Sequence, residues 1–399
     1  MADSTDTARA TIAELRRRYR RFRWSSQRTL RGKAVVGARV VLRPLLAALV
    51  ASALVVRHGG TVARRHGVSR LQQLARMWWL RSRHGLEPEW YYHFRLFLPE
   101  EWERADLYLR VSEVRELLIL IRSATSGDRS SSFSDKRTFE QWCASFGFPA
   151  LRTLLVIGEP DPAPPRRLLP PHDLFTKPAA LQGGRGARRW RYADGGWIGD
   201  DGARRDERAL LAELEAQSVA LTRPIIVQRC LTNHPELAGL TSGGLGTARL
   251  VTSRSLDGAV EPRHAIYKMP IGGSPIDNFQ ANNLAAPVDL ASGRLGTATR
   301  MEIALLGDRI ERHPDTGAVI EGTRLPHWHE LVSLALRAHA AIEEVMPFVG
   351  WDIAITVDGP ILVEGNVRPG APVQLIHRVP LGETRFATLL LEYLRAYAP

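Results

Sequence analysis

Near its C-terminus the sequence spells out a β-hairpin. Residues 353–357 (Ile-Ala-Ile-Thr-Val) and 361–363 (Ile-Leu-Val) are short apolar runs separated by Asp358-Gly359, a pair that readily takes the positive φ angles of a tight hairpin turn. Pro360 is tolerable as the first residue of the second strand. The hairpin carries three polar residues in apolar surroundings: Asp352 just before the first run, and Glu364 and Asn366 just after the second. Residues two apart on a strand share a face, so Glu364 and Asn366 point the same way and Asp352 can join them from the neighbouring strand. Two carboxylates and an amide oxygen are hard ligands of the kind that hold Mg²⁺ together with substrate phosphates.

The rest of the chain must support such a site. Its 399 residues, 44% of them hydrophobic, can build two or more ordinary cores, which excludes a disordered chain. The two cysteines, Cys143 and Cys230, are 87 positions apart and form no CxxC pair. That argues against a structural zinc or a disulfide framework and for a cytoplasmic protein. The net charge of +12 is unevenly placed: residues 1–85 hold 19 Arg and Lys against three acids, a local +16 that leaves −4 for the remainder. Residues 1–67 therefore read as a basic helical arm facing a membrane or a partner, with a helix over 11–23. Within the arm, 34–56 resembles a membrane segment, but Arg39, Arg43 and Pro44 interrupt it. The uncharged run of 44–56 falls short of the 20 or so residues a spanning helix needs. A buried bundle helix is favoured there, with an in-plane membrane helix and a signal-peptide core as alternatives.

Residues 68–129 read as a helical region, with Trp78, Trp79, Trp90, Tyr91, Tyr92 and Phe94 expected in the core between helices. No helix-turn-helix, zinc-finger or RNP-like pattern is present, so no specific nucleic-acid partner is expected. From about 130 the pattern becomes mixed: a helix over 138–146, a strand over 151–157, a proline-rich connector over 159–171, then short strands with a few helices, such as 206–220 and 328–345. This predicts an α+β domain over 130–399.

Two further segments suggest nucleotide chemistry. Lys177 ends a predicted strand and is followed by Gly183, Gly184 and Gly186. A lysine beside glycines that let backbone N–H groups approach can hold a polyphosphate, although this is not a Walker A loop. Pro224-Ile-Ile-Val-Gln228-Arg-Cys230-Leu231 is a buried-strand pattern ending in polar residues, and such a strand edge can face a purine.

Taken in order, these segments resemble the ATP-grasp superfamily. Ser134-Asp-Lys136-Arg-Thr-Phe139 with Gly147-Phe-Pro149 is similar to its opening motif, and Glu364-Gly-Asn366-Val-Arg368-Pro-Gly370 to its metal motif. Asn233-His-Pro-Glu236, Gly246-Thr-Ala-Arg249 and Val349-Gly-Trp-Asp352 resemble the sugar-transfer-associated family within it, which is similar in turn to α-L-glutamate ligase-related proteins. The resemblance implies an ATP-grasp fold whose lid subdomain spans about 172–228, with ATP and Mg²⁺ as cofactors. It implies that Lys136 and Lys177 contact phosphates, that Gly183, Gly184 and Gly186 form the lid loop, and that Gln228, Cys230 and Leu231 form the adenine hinge. Glu236 would hold the ribose, and Asp352, Glu364 and Asn366 the metal. Arg249, Lys268 and Arg368 are the candidate catalytic cations. D-alanine ligases carry an arginine where this chain has Gly350, so the charge that stabilises the transition state must come from elsewhere, and Arg249 or Arg368 is expected to supply it.

The activity so implied is an ADP-forming carboxylate–amine ligase acting on a sugar-related, amino-acid or other metabolite substrate, small or lipid- or glycan-linked. A kinase and a non-catalytic ATP-binding protein remain as alternatives, and the oligomeric state is open. A cytoplasmic location, peripheral at the inner membrane face, follows from the basic arm. Gln374, His377, Asp277, Asn278 and Asn282 are candidate acceptor-site residues. His327 and His329 are expected to be ordinary polar residues and not metal ligands.

Overall fold

The computed structural model describes residues 2–25, 46–126, 133, 135–158, 169–179, 186–370 and 372–398. The longer helices are α1 (Ala2–Ser25), α2 (Leu46–His66), α3 (Arg70–His84), α4 (Val111–Ser126), α5 (Lys136–Ser145), α6 (Glu207–Leu221), α7 (Trp328–Ala340) and α8 (Arg385–Tyr397). Side-chain caps fix several starts. Ser69 and Gln72 form a reciprocal capping box ahead of α3, Asp135 accepts the Arg137 and Thr138 N–H groups of α5, and Asp206 accepts the Ala209 N–H of α6.

Two antiparallel sheets follow the helical region. The first is six-stranded, in the order β1 (Thr153–Ile157), β6 (Ile225–Arg229), β2 (Leu174–Pro178), β3 (Arg188–Ala193), β4 (Gly196–Ile198) and β5 (Arg204–Arg205). The second has five strands, in the order β11 (Gly359–Asn366), β10 (Phe348–Thr356), β7 (Thr247–Arg254), β8 (Val260–Met269) and β9 (Leu284–Val288). The first sheet takes in β1, which lies upstream of the 172–228 segment expected to form the lid subdomain. β1 pairs with β6 and lies across the proline-rich connector from β2, which hid the connection.

The predicted hairpin is β10–β11; its turn is Val357–Asp358, one residue earlier than the expected Asp358–Gly359, and Gly359 opens β11 opposite Thr356 with φ +112°, a region natural to glycine alone. Strand alternation divides the five-stranded sheet. Ala265, Tyr267 and Met269 of β8 join a core with Leu331, Leu334 and Ala338 of α7, which leaves the opposite face to a cavity. α6 covers the six-stranded sheet through Leu210 and Leu214.

The N-terminal arm does not stand apart. Ala8, Ile12, Leu15 and Tyr19 follow one face of α1 and are buried in a core shared with α4 and α8. Gly382 makes room for this contact, since a Cβ there would lie 2.7 Å from the Leu107 carbonyl and 2.9 Å from Ile12. The arginines of α1 are used inside the molecule. Arg16 donates to the carbonyls of Asp106 at 3.0 Å and Tyr108 at 2.9 Å, and its Nε lies 3.6 Å from the fully buried Glu113. Arg9 pairs with Asp106, Arg23 with Glu116, and Arg18 donates to the Leu394 and Ala398 carbonyls that end α8. The +16 of the N-terminal region is thus partly neutralised by acids and helix ends far away in sequence. Of the aromatic cluster, Tyr91, Tyr92 and Phe94 are buried as expected, but Trp78 and Trp79 remain nearly half exposed.

Candidate active site

β7, β8, β10 and β11 bring the charged residues together by register. Asp352 is opposite Arg249 on one side and Glu364 on the other, Gly350 is opposite Asn366, and Thr247 is opposite Lys268. Arg249 grips Asp352 with two hydrogen bonds, Nε to Oδ1 at 2.7 Å and Nη2 to Oδ2 at 2.6 Å. Lys268 Nζ lies 3.3 Å from Asp352 Oδ2 and 3.3 Å from Asp277, and Asp277 also accepts from Thr247 Oγ1. With its amide oxygen toward Arg249 Nη2 at 3.2 Å, the Asn366 nitrogen donates to Glu364 Oε1 at 3.3 Å. Burial raises the Asp352 carboxyl, but Arg249 and then Lys268 more than reverse this and hold it below the ordinary carboxylate value.

These residues line a cavity of about 860 Å³ between the two sheets. Lys177 of β2 and Lys136 at the start of α5 line it from the other side, as do Phe175 and Arg189. Burial lowers the Lys177 ammonium to about 8, with nearby Lys136 adding to the fall and Glu364 opposing it. Lys136 Nζ donates to the Ala179 carbonyl at 3.3 Å. Arg189 bridges the walls, donating to Asp173 of its own subdomain at 3.0 Å and to the Gly243 carbonyl of the other at 2.5 Å. The 241–246 loop it touches is pinned by Asn233, which donates to the Gly244 carbonyl and accepts the Gly246 N–H.

A family model for sugar-transfer associated ATP-grasp proteins matches residues 120–383. The chain belongs to that family. The match takes in both sheets and every residue of the charged cluster, and the ATP-grasp fold accounts for two α+β subdomains facing each other across one cavity. Solved structures to which the chain is similar include a D-alanine–D-alanine ligase from Bacillus anthracis and a phosphoribosylamine–glycine ligase from Thermotoga maritima. The first has 10% identity and a TM-score of 0.40, over 72% of this chain and 79% of that one. The second has 14% identity and a TM-score of 0.37, over 66% and 55%. Comparison with curated proteins returned no match.

In this ATP-grasp protein the predicted site residues fall into three groups. Asp352, Glu364, Asn366, Arg249, Lys268, Lys136 and Lys177 share the cavity, and Arg368 lines it from an exposed position. Gly186, at φ +73°, takes a conformation suited to glycine, and a Cβ there would meet Pro178 at 3.1 Å; Gly183 and Gly184 lie outside the described residues.

The other predicted residues are divided between the cavity wall and positions away from it. Glu236 is exposed and does not line the cavity, because Pro235 starts a 3₁₀ turn (Pro235–Leu240) that carries it outward; Thr232 and Asn233 line the cavity instead. Gln228 is buried behind the lining, 3% exposed, with Oε1 lacking a hydrogen-bond partner among the described residues. Cys230 and Leu231 do line it, but the Cys230 N–H is committed to the Asp173 carbonyl at 2.9 Å. Of the suggested acceptor residues, Asp277 and Asn278 line the cavity. Gln374 instead bonds the Leu109 N–H and carbonyl and the Leu381 N–H, and His377 bonds the Ala265 carbonyl.

The donor set suits a magnesium ion. Asp352 and Glu364 are paired across adjacent strands and Asn366 follows on the same face, all three through oxygen. Among the described residues no three His, Cys, Asp or Glu side chains form an alternative metal cluster.

Sequence reasoning missed Arg189, Arg115 and His264. Along β8, Lys268, Ile266 and His264 alternate onto the cavity face, and along β7 Thr247, Arg249 and Val251 do so. The face therefore runs from a charged end to an apolar end. Val111 and Arg115 of α4, and Val373 and Ile376, close the apolar end. The period-two pattern of 264, 266 and 268 was the available signal for His264.

Proposed function

We propose that the protein is an ADP-forming carboxylate–amine ligase. The observation that carries this is one cavity with Asp352, Glu364, Asn366, Arg249 and Lys268 on one wall and Lys136 and Lys177 on the other. A triphosphate held between these walls has its charge balanced from both sides. Magnesium, held by Asp352, Glu364 and Asn366, would supply further neutralisation of the phosphate oxygens. Lys136 and Lys177 bind and orient the polyphosphate. A substrate carboxylate oxygen attacks the γ-phosphorus, the bond to ADP breaks, and an acylphosphate forms. An amine then attacks the acyl carbon, loses a proton and expels phosphate. Charge builds on the transferring phosphoryl oxygens and on the tetrahedral carbon, and Arg249 and Lys268 are the fixed cations nearest the metal donors. Arg249 supplies from β7 the charge that Gly350 does not.

The apolar end of the face supports a substrate whose body is apolar. Val251, Ile266 and Ile376 carry no side-chain hydrogen-bonding groups, and His264 and Arg115 are the polar side chains beside them. His264 is held neutral there, burial lowering its imidazole to about 3. Arg115 forms no ion pair among the described residues and stands ready for a second anionic group.

The test is incubation with Mg-ATP and pools of carboxylic acids and amines, read by mass spectrometry. The ligase reading expects ADP, phosphate and a condensed mass that depend on one acid and one amine. A phosphorylated pool member without free phosphate would replace it with a kinase, and ATP binding without turnover on any pool would count for a non-catalytic protein.

A further inference from the structure

α2 presents an apolar face outward. Its inner face belongs to the body of the protein: Ala47, Ala51, Val55 and Val62 are buried. Its outer face carries Leu46, Leu49, Val50 and Val56, which are 61%, 70%, 45% and 76% exposed, with Ala53 exposed between them. These positions form one stripe at helical spacing. A surface helix of a globular protein ordinarily keeps its polar side there. By length and composition α2 could cross a membrane. The buried inner face instead fastens it lengthwise to the helical core, which suits a helix lying along a surface.

The stripe ends in unneutralised cations. Arg57 follows Val56 and is exposed. Farther along, Arg64 and Arg70 lean over Gly60, where an added Cβ would lie 2.8 Å from Arg70 Nη2 and 3.5 Å from Arg64 Nη1. Arg65 pairs with Asp308, but Arg57, Arg64 and Arg70 form no ion pair among the described residues. The next helix, α3, adds exposed Leu71 and Trp78.

We propose that α2 docks this protein on an anionic membrane, lying in the plane of the bilayer. Leu46, Leu49, Val50 and Val56 enter the acyl region, and Arg57, Arg64 and Arg70 meet lipid phosphates. An aliphatic stripe bordered by free cations matches an apolar layer bordered by phosphate. A second copy of the chain fits less well: α2 contains no acid, so two such faces would bring arginines together without a counter-charge.

The test is flotation of the full-length protein with phosphatidylcholine vesicles, with and without phosphatidylglycerol. Binding is expected to be at least tenfold stronger with the anionic lipid and to weaken as salt rises. The double variant L49E/V56E should bind at least tenfold more weakly while keeping the wild-type melting temperature and ATP affinity, since both side chains are exposed. The triple variant R57Q/R64Q/R70Q should lose the preference for anionic lipid. Wild-type-like binding by L49E/V56E would overturn the proposal, as would failure of the wild type to float with anionic vesicles. A dimer in solution that L49E/V56E dissolves, without vesicle binding, would assign the stripe to a second copy and equally overturn it.

Discussion

Arg249 and Lys268, on the five-stranded wall of the cavity, already have their anions, whereas Lys136 and Lys177 on the opposite side have none among the described residues. The first pair is locked to Asp352 within a strand register that leaves little freedom. In the second pair burial lowers the Lys177 ammonium to about 8, with nearby Lys136 adding to the fall and Glu364 opposing it. On the proposed ligase reading, one wall is preorganised to stabilise charge that develops during reaction, and the other gains when a polyphosphate arrives.

The strongest test of the first wall is Glu364→Ala. Magnesium-dependent ATP turnover should fall by a factor of about 1,000 or more, with circular dichroism unchanged. Full turnover in the folded variant would remove Glu364 from the metal set. Next comes Arg249→Met, which strands the buried Asp352 carboxylate with Lys268 alone. Urea unfolding should show a loss of about 3 kcal/mol, and adding Asp352→Asn should recover part of it. A negligible loss would mean that the bidentate pair contributes no stability.

For the second wall, Lys177→Met should weaken ATP binding by about 10- to 100-fold. The pH dependence sharpens this. The unliganded Lys177 is neutral above about 8, and a bound polyphosphate favours its charged form. ATP binding should therefore take up a proton near pH 8 and weaken as pH rises through that value. Calorimetry in buffers of different ionisation enthalpy reads the uptake, which Lys177→Met should abolish. The smallest effect expected is from Gly350→Ala. Its Cβ would make ordinary contacts, 3.4 Å to Pro369 and 3.7 Å to the Asn366 carbonyl, so stability should move by under about 1 kcal/mol.

The hairpin and its three donors were legible because strand alternation and an Asp-Gly turn are local signals. The pairing of Arg249 with Asp352 was not, because it depends on register between strands about a hundred residues apart. The packing of α1 was not legible. Ala8, Ile12, Leu15 and Tyr19 do carry a helical stripe, but the surrounding arginines pointed only to an arm facing a membrane or a partner. Their partners, Glu113 and the carbonyls near Tyr108 and Leu394, cannot be matched to them from spacing. For the same reason, deleting residues 1–60 does not isolate membrane binding, since it removes Ile12 and Leu15 from the core. The position of Glu236 was likewise not legible: the motif was visible, but it falls in the 3₁₀ turn that begins at Pro235, away from the cavity lining.

The first and last helices meet. Glu14 of α1 pairs with Arg395 of α8, and Arg18 caps the carbonyls at the chain's end. During synthesis the ribosome exposes α1 nearly four hundred residues before its partner exists. The two sheets can form as their strands emerge, but the helical core must wait until α8 has been made. A chain truncated by even its last helix would thus release an ATP-grasp core whose opening segment has nowhere to fold, an easy mark for proteases and chaperones.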